Sequence, residues 1–258
     1  MDKKNNKILL VDDSENLRRV IKDYLEMKDY SVWEFKDGDS AIKSLNTVPY
    51  NLCVIDLTMR SNDNFALLQH IRRYDKRLPV VLLSDTDSKE DRIKGFKLGC
   101  DDYLTKPFSI EELELRIQAI LHRSMMGVVP KSSIYEEKVY KIGNFTFNFS
   151  DMQLIHAKGT RTLTRKEAEL LKLLCEHKNK LIPREIIMKE VWGDEDHAVG
   201  RSMDVFLTKL RSYLLLDDEG HIAPKMQGKR KITYIGDYEP LAEIINIHGT
   251  GFMLKLKE

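Results

Sequence analysis

The chain has 258 residues, is 42% hydrophobic and carries a formal net charge of +1. That length accommodates two ordinary domains, and the composition is that of globular protein, neither disordered nor fibrous. The halves 1–124 and 125–258 carry net charges of −1 and +2, so affinity for nucleic acid has to come from local patches and not from the overall field.

No stretch approaches the ~20 consecutive apolar residues of a membrane span. The N-terminal stretch Met1 to Lys7 is polar and the apolar run behind it is too short for a signal peptide, so a cytoplasmic chain with no membrane partner is expected. Cys53, Cys100 and Cys175 are odd in number and far apart. They fit neither a disulfide framework nor a metal site and read as buried apolar thiols.

The first half alternates strand and helix. Ile8 to Val11 is a short apolar run ending in Asp12 and Asp13. Behind it Leu17, Val20, Ile21, Tyr24 and Leu25 fall on one helical stripe. Ser31 to Phe35 reads as a strand and Asp39 to Leu45 as a short helix. Asn51 to Asp56 is a central strand, and Phe65 to Arg73 a helix. Pro79 to Ser84 is a strand, and Ser88 to Leu98 a helix stopped by Gly99. Asp102 to Thr105 is a shorter strand ending in Lys106-Pro107, and Ser109-Ile-Glu-Glu112 is a capping box opening a helix to about Arg123. Five strands alternating with five helices predict an α/β fold, a doubly wound five-stranded parallel sheet.

The alternation stops near Ser124. Domain one is expected at 5–124, a flexible linker at 125–138, and domain two at 139–258. Val139 to Phe149 and Gln153 to His156 alternate like antiparallel strands. Thr164-Arg-Lys-Glu167 is a second capping box, leading a helix to about His177. Pro183 suits the first turn of a helix ending near Trp192. Arg201 to Leu216 makes a third helix. Ile244 to Ile247 and Phe252 to Leu256 form a hairpin around His248-Gly-Thr-Gly251. Three helices and a hairpin are the layout of a winged helix-turn-helix, an α+β domain.

Chemistry is concentrated at the strand ends of the first half. Strand ends in a parallel sheet share one edge, where open α/β sheets place their sites. Asp12, Asp13, Asp56, Ser84 and Lys106 therefore meet in one crevice. Crowded carboxylates with no His or Cys nearby favour a hard cation, Mg2+, as cofactor. An ionised Asp56 in that setting is a nucleophile for phosphorus. Taken singly, Asp12-Asp13 reads equally well as a polar turn cap and Lys106 as a solvated surface residue; four strand ends contributing compatible groups carry the case. Phosphatases of the haloacid dehalogenase class form an aspartyl phosphate too, but need a second Asp two residues on, where this chain has Thr58.

The Lys7–Arg123 half resembles the receiver domain of bacterial two-component response regulators, flavodoxin-like in fold. The resemblance lies in Asp12-Asp13, Asp56, Ser84 and the run Gly99-Cys-Asp-Asp-Tyr-Leu-Thr-Lys-Pro-Phe108. It implies that Asp56 accepts a phosphoryl group from a sensor histidine kinase. Asp13, Asp56 and the Thr58 carbonyl would bind Mg2+, with Asp12 acting through water. Lys106, before a cis proline, would reach the phosphoryl group. Ser84 would move toward the phosphate as Tyr103 swings inward. Two positions depart from the family, Arg60 for Pro and Asn64 for Gly in the loop after Asp56. They keep open a second reading, a phosphorylation-independent DNA-binding regulator using its receiver only to dimerise.

The second half resembles the winged-helix effector of the OmpR/PhoB subfamily. Leu163-Thr-x-x-Glu-Ala-Glu-Leu-Leu171, Val191-Trp-Gly193, Arg201 to Arg211 and Ile245 to Phe252 match its segments, and the Ile-His-Gly wing is most like RprY-type members. By residue type alone, the third helix is a basic amphipathic helix and no more. The resemblance makes it a reader of double-stranded DNA at a direct-repeat site. Arg201, Ser202, Thr208, Lys209 and Arg211 are the expected contacts, Thr208, Lys209 and Arg211 in the major groove, with His248 and Thr250 on the wing. The loop from Trp192 to Val199 would contact RNA polymerase. Phosphorylated receivers would form a homodimer, with Arg92, Asp101, Asp102, Glu112, Arg116 and Arg123 making cross-chain ion pairs that are individually weak. The 27-residue connection between Leu216 and Ile244, with Lys229-Arg230-Lys231, is longer than the family's and reads equally as a surface loop or a phosphate contact.

Overall fold

The structure is a computed structural model that describes residues 6–59, 65–126, 139–192, 200–214 and 241–257, with the backbone alone at 123–126 and 200–202. Arg60, Asn64, the linker beyond Met126, the loop 193–199 and the connection 215–240 lie outside the described residues, as do the side chains of Arg123, Arg201 and Ser202. The chain divides into two compact units, 1–131 and 132–258.

In the first unit, strands β1 (Lys7–Val11), β2 (Ser31–Phe35), β3 (Leu52–Asp56), β4 (Val80–Ser84) and β5 (Asp102–Thr105) alternate with helices. These are α1 (Glu15–Met27), α2 (Gly38–Leu45), α3 (Ala66–Tyr74), α4 (Lys89–Leu98) and α5 (Ile110–Met126). The strands pair in the order β2-β1-β3-β4-β5, and every pairing is parallel. All five residues of β3 and of β4 are buried. That is why these strands read as unbroken apolar runs, since helices cover both faces of a parallel sheet.

Local signals place the helices. The Ser88 hydroxyl accepts from the Asp91 amide at 3.2 Å to open α4, which ends at Gly99 in the left-handed region, φ 100°. The Ser109 hydroxyl accepts from the Glu112 amide at 3.0 Å to open α5. Ile21 and Leu25 of α1 and Leu113, Ile117 and Ile120 of α5 close over Ile8, Leu10, Val54, Val81 and Leu83. Each such side chain contributes about 1.5–3 kcal/mol on burial. The connections reverse between β1 and β3, so the site opens at the carboxyl ends of those strands.

Asp101 corrects one expectation. It is 2% exposed, and its Oδ2 accepts from Arg72 Nη2 at 2.9 Å and from the Val80 amide at 2.9 Å. Arg72 also donates through Nε to the Gly99 carbonyl at 2.8 Å and through Nη1 to the Leu78 carbonyl at 2.6 Å. This buried pair fastens α3 to the starts of β4 and β5, so Asp101 has no face to offer a second chain.

The second unit begins with a four-stranded antiparallel sheet, β6 (Val139–Ile142), β7 (Phe145–Asn148), β8 (Gln153–His156) and β9 (Gly159–Thr162), paired in that order. The expected strand over Val139 to Phe149 is broken by a turn at Gly143-Asn144, and β9 is an addition. Gly-Thr-Arg-Thr contains no apolar residue, so periodicity could not mark it. Helices α6 (Arg165–Glu176), α7 (Arg184–Trp192) and α8 (Gly200–Leu214) follow, with a hairpin of β11 (Ala242–Ile247) and β12 (Gly251–Leu256).

Pro183 belongs to the two-residue strand β10 (Ile182–Pro183), not to the first turn of α7. Among the described residues β10 is an edge strand pairing only with β12, a setting that tolerates the missing N–H. A Cβ on Gly251 would lie 2.0 Å from the Ile182 carbonyl oxygen, so only glycine lets the wing approach that closely. Helix α6 packs on α7, α8 and β12. Leu170, Leu171 and Leu174 of α6, Met203, Phe206, Leu207 and Leu210 of α8, and Ile244 and Leu254 of the hairpin are buried. The result is a winged helix-turn-helix.

Candidate functional site

Of the five residues expected at the crevice, Asp12, Asp13, Asp56 and Lys106 meet there. Asp12, which follows β1, and Asp56, which ends β3, are 0% and 1% exposed. Asp13 is exposed, and one oxygen of each of the three carboxylates lies within 4.8 Å of the others. Lys106, after β5, donates through Nζ to Asp56 Oδ2 at 2.9 Å and to Asp12 Oδ2 at 3.5 Å. The Lys106–Pro107 peptide is cis. Asp12 Oδ1 accepts from the Ser14 amide at 2.7 Å, which also starts α1.

Charge crowding shows in the protonation balance. Burial, and then repulsion from Asp56, push the Asp12 carboxyl above its ordinary value despite the opposing Ser14 amide and Lys106. For Lys106, burial disfavours the ammonium, but Asp56 and Asp12 outweigh it and raise the value. One lysine does not neutralise three carboxylates. An all-oxygen donor set at this spacing, with no His or Cys, suits a hard divalent cation such as Mg2+.

Thr58 sits closer to Asp56 than its expected role requires. Its hydroxyl lies 2.8 Å from each Asp56 carboxylate oxygen, and its amide donates to Oδ1 at 3.0 Å. Ser84 ends β4 and is 2% exposed; it faces Thr86, with Oγ accepting from the Thr86 amide at 3.2 Å. Tyr103 is already turned inward, 7% exposed, its hydroxyl buried beside Ser84 and Thr86 without a formed hydrogen bond. Burial pushes its phenol above the ordinary value. The Arg92 guanidinium covers the ring at 5.7 Å. From this conformation no inward swing remains to be made.

Of the other expected dimer residues, Arg92 pairs with Asp87. Arg116 bridges Glu112 at 2.8 Å and Asp102 at 3.0 Å within one chain. Asp102 is 8% exposed and Glu112 is half-buried.

On α8 the open stripe runs Asp204, Thr208, Ser212, four residues apart. Thr208 is on it. Lys209 and Arg211 are corrections. The Lys209 ammonium donates to Glu167 Oε1 at 2.8 Å, and Arg211 Nε donates to the Ile244 carbonyl at 2.8 Å with its guanidinium 5.8 Å from the Phe252 ring. Both face the domain's own framework. Burial holds the Arg211 guanidinium below its ordinary value, against the pull of Asp204 and Glu243. Arg201 and Ser202 lie at the start of α8, on its backbone alone. His248 and Thr250 are exposed on the wing's turn.

Two residues escape sequence reasoning. Arg184, first in α7, holds exposed Asp204 through two hydrogen bonds of 3.1 Å, and its amide donates to the Thr250 carbonyl at 3.4 Å. It therefore joins α7, α8 and the wing, and its place one residue after Pro183 is the available signal. Asp85, next to Ser84, reaches Lys106 at 3.6 Å, and its acidity right after a strand end is signal enough.

Residues 8–118 match the family model "Response regulator receiver domain", and residues 158–235 match "Transcriptional regulatory protein, C terminal". The chain is 41% identical over 248 residues to the transcriptional regulatory protein RprY of Bacteroides fragilis, covering 96% of this chain and 94% of that protein. It is 34% identical over 216 residues to the transcriptional regulatory protein ResD of Bacillus subtilis, covering 83% and 89%. Among solved structures, a mutant of RitR shares the fold with a TM-score of 0.70 at 21% identity, covering 98% of this chain and all of that one.

Proposed function

From the premise that the chain belongs to the two-component response regulators with an OmpR/PhoB-type DNA-binding domain, we propose that Asp56 is its phosphoacceptor and a sensor histidine kinase its donor. The observation that carries this is the junction of Asp12, Asp13, Asp56 and Lys106 within reach of one ion. Asp12, Asp13 and Asp56, with the Thr58 carbonyl, would hold Mg2+. When bound, Mg2+ supplies positive charge that offsets the carboxylates and spreads the charge of the transferring group.

The chain's own residues do the rest. Lys106 holds Asp56 aimed, and moves to a phosphoryl oxygen as Asp56 forms its new bond to phosphorus. The donor's leaving group takes the electron pair of the broken bond. The Thr58 hydroxyl must release one Asp56 oxygen for that attack. Ser84 turns from Thr86 to the phosphoryl group, and buried Tyr103 occupies the space behind it. The receiver catalyses only its own phosphorylation and slow dephosphorylation.

Phosphorylation then promotes receiver pairing through α4, β5 and α5, using Arg92, Glu112, Arg116 and Arg123 with apolar contacts. Two effector domains, in chains organised as receiver 5–124, linker 125–138 and effector 139–258, bind a direct-repeat DNA site and meet RNA polymerase in the cytoplasm. Among the described residues no helix is long and apolar enough to cross a membrane. Thr208, Arg201 and Ser202 read the groove, and His248 and Thr250 approach the backbone.

Incubation with Mg2+ and a small phosphodonor, followed by mass spectrometry of the modified peptide, tests the reading. An adduct on Asp56, absent from Asp56→Ala, is expected. An unmodified protein that still binds DNA favours the phosphorylation-independent regulator instead.

A further inference from the structure

Three carboxylates converge on the Lys106 ammonium, not two. Asp56 and Asp12 approach at 2.9 and 3.5 Å, and Asp85 approaches at 3.6 Å. The Asp56 and Asp12 side chains are 1% and 0% exposed, whereas that of Asp85 is 59% exposed. Asp85 follows the last residue of β4, so it stands on the rim of the crevice. The proposed phosphotransfer uses Asp12, Asp56 and Lys106 and leaves Asp85 without a task.

A fixed negative charge at the mouth acts on whatever enters. Every phosphodonor brings a negatively charged phosphoryl group, and like charge at the rim of a cleft lowers its local concentration and its rate of encounter. Asp85 also competes for Lys106, the cation that the incoming phosphoryl oxygen needs. Both effects grow with the donor's charge. Near neutral pH an acyl phosphate such as acetyl phosphate is more negative than phosphoramidate, whose nitrogen is protonated.

We propose that Asp85 is a specificity-determining residue that selects phosphodonors by charge, disfavouring small acyl phosphates relative to donors that deliver phosphorus from nitrogen. The inference rests on Asp56 being the phosphoacceptor. With either donor an Asp56 oxygen bonds to phosphorus. The bond broken is P–O with acetate leaving, or P–N with ammonia leaving, and the leaving group takes the electron pair.

The test follows the Asp56 adduct over time in the full chain with saturating Mg2+, using acetyl phosphate and phosphoramidate separately, at low and high salt. Asp85→Asn and Asp85→Ser are expected to speed the acetyl phosphate reaction about three- to tenfold, the size of one partly screened charge a few ångströms away. Phosphoramidate gains less, Asp85→Glu retains the wild-type preference, and high salt narrows the gap. Equal acceleration with both donors, or variants indistinguishable from wild type, overturns the role of Asp85. No adduct in the wild type with either donor is a different result, which removes the phosphoacceptor reading and this inference with it.

Discussion

Lys209 in α8 donates to Glu167 in α6 at 2.8 Å, and the two are 42 positions apart in sequence. The same Oε1 accepts from the Tyr213 hydroxyl at 3.2 Å, and Oε2 accepts from the Thr164 amide at 2.8 Å, half of the α6 capping box. A charge that looks free on a basic helix is thus the counter-ion of a 3%-exposed carboxylate. The pair sets how α8 lies on α6.

Removing one partner leaves the other uncompensated. Lys209→Ala is expected to lower stability by about 2–4 kcal/mol in denaturant melts. Burial pushes the Glu167 carboxyl up, but Lys209, the Thr164 amide and Tyr213 overcome it, and the value ends below the ordinary range. The carboxyl therefore contributes stability fully above its unfolded pKa and loses it as pH falls through the lower folded value. Wild type should lose stability between about pH 5 and pH 3 more steeply than Glu167→Gln. Parallel curves would show the pair to be energetically idle.

On the DNA side, the open stripe of α8 makes Thr208 the discriminating position. Thr208→Glu puts a carboxylate where phosphate and base edges are expected, on an exposed residue whose hydroxyl bonds back to the Asp204 carbonyl of its own helix. Binding to a specific site should weaken about tenfold or more, with an unchanged melting curve. Arg211→Ala should do the opposite, since it removes a framework bond to the Ile244 carbonyl. It should destabilise the domain by about 1–3 kcal/mol and reduce DNA binding only as far as the folded fraction falls. Electrophoretic mobility shifts beside thermal melts separate the two. Tight binding by Thr208→Glu would move the interface elsewhere.

What is legible in the sequence depends on whether the cause is local. Strands buried on both faces show as apolar runs, so the polar residues that end them, Asp12, Asp56, Ser84 and Lys106, stand out and share an edge. Their convergence follows from parallel pairing alone. Asp101 is misplaced because its partner Arg72 lies 29 positions away. Residue type says nothing of whether a charge is solvated or held inside. Lys209 and Arg211 fail for the same reason: helical spacing picks out the apolar stripe, but not which flanking cations fold back onto Glu167 and Ile244. Strand β9 is invisible because an edge strand of Gly, Thr and Arg has no burial pattern to betray it.

The Arg72–Asp101 pair makes a sharper stability prediction, since its side chains are 9% and 2% exposed. Asp101→Ala strands a buried guanidinium and an unpaired Val80 amide, at a cost of about 3–5 kcal/mol. Asp101→Asn keeps an acceptor for both donors and should cost less, about 1–2 kcal/mol. Chemical denaturation of the two variants gives the order. Equal losses would mean that the charge, not the hydrogen bonds that Asn retains, holds α3 to β4 and β5.

Asp12 offers the reverse case, a buried charge that costs stability while the crevice lacks a cation. Its carboxyl is pushed up by burial and by Asp56, so its charge is disfavoured in the folded, metal-free domain. Asp12→Asn removes that charge, and its amide oxygen can still accept from the Ser14 amide. The metal-free variant should melt a few degrees above wild type, corresponding to about 1 kcal/mol. Saturating Mg2+ should then raise the wild type by about 2–3 kcal/mol, the linkage expected near a hundredfold excess over the dissociation constant, and raise the variant much less. The two melting curves should therefore exchange order on adding Mg2+. If Asp12→Asn melts below wild type without the ion, the repulsion at the crevice is not a cost; if both respond equally to Mg2+, Asp12 takes no part in holding it.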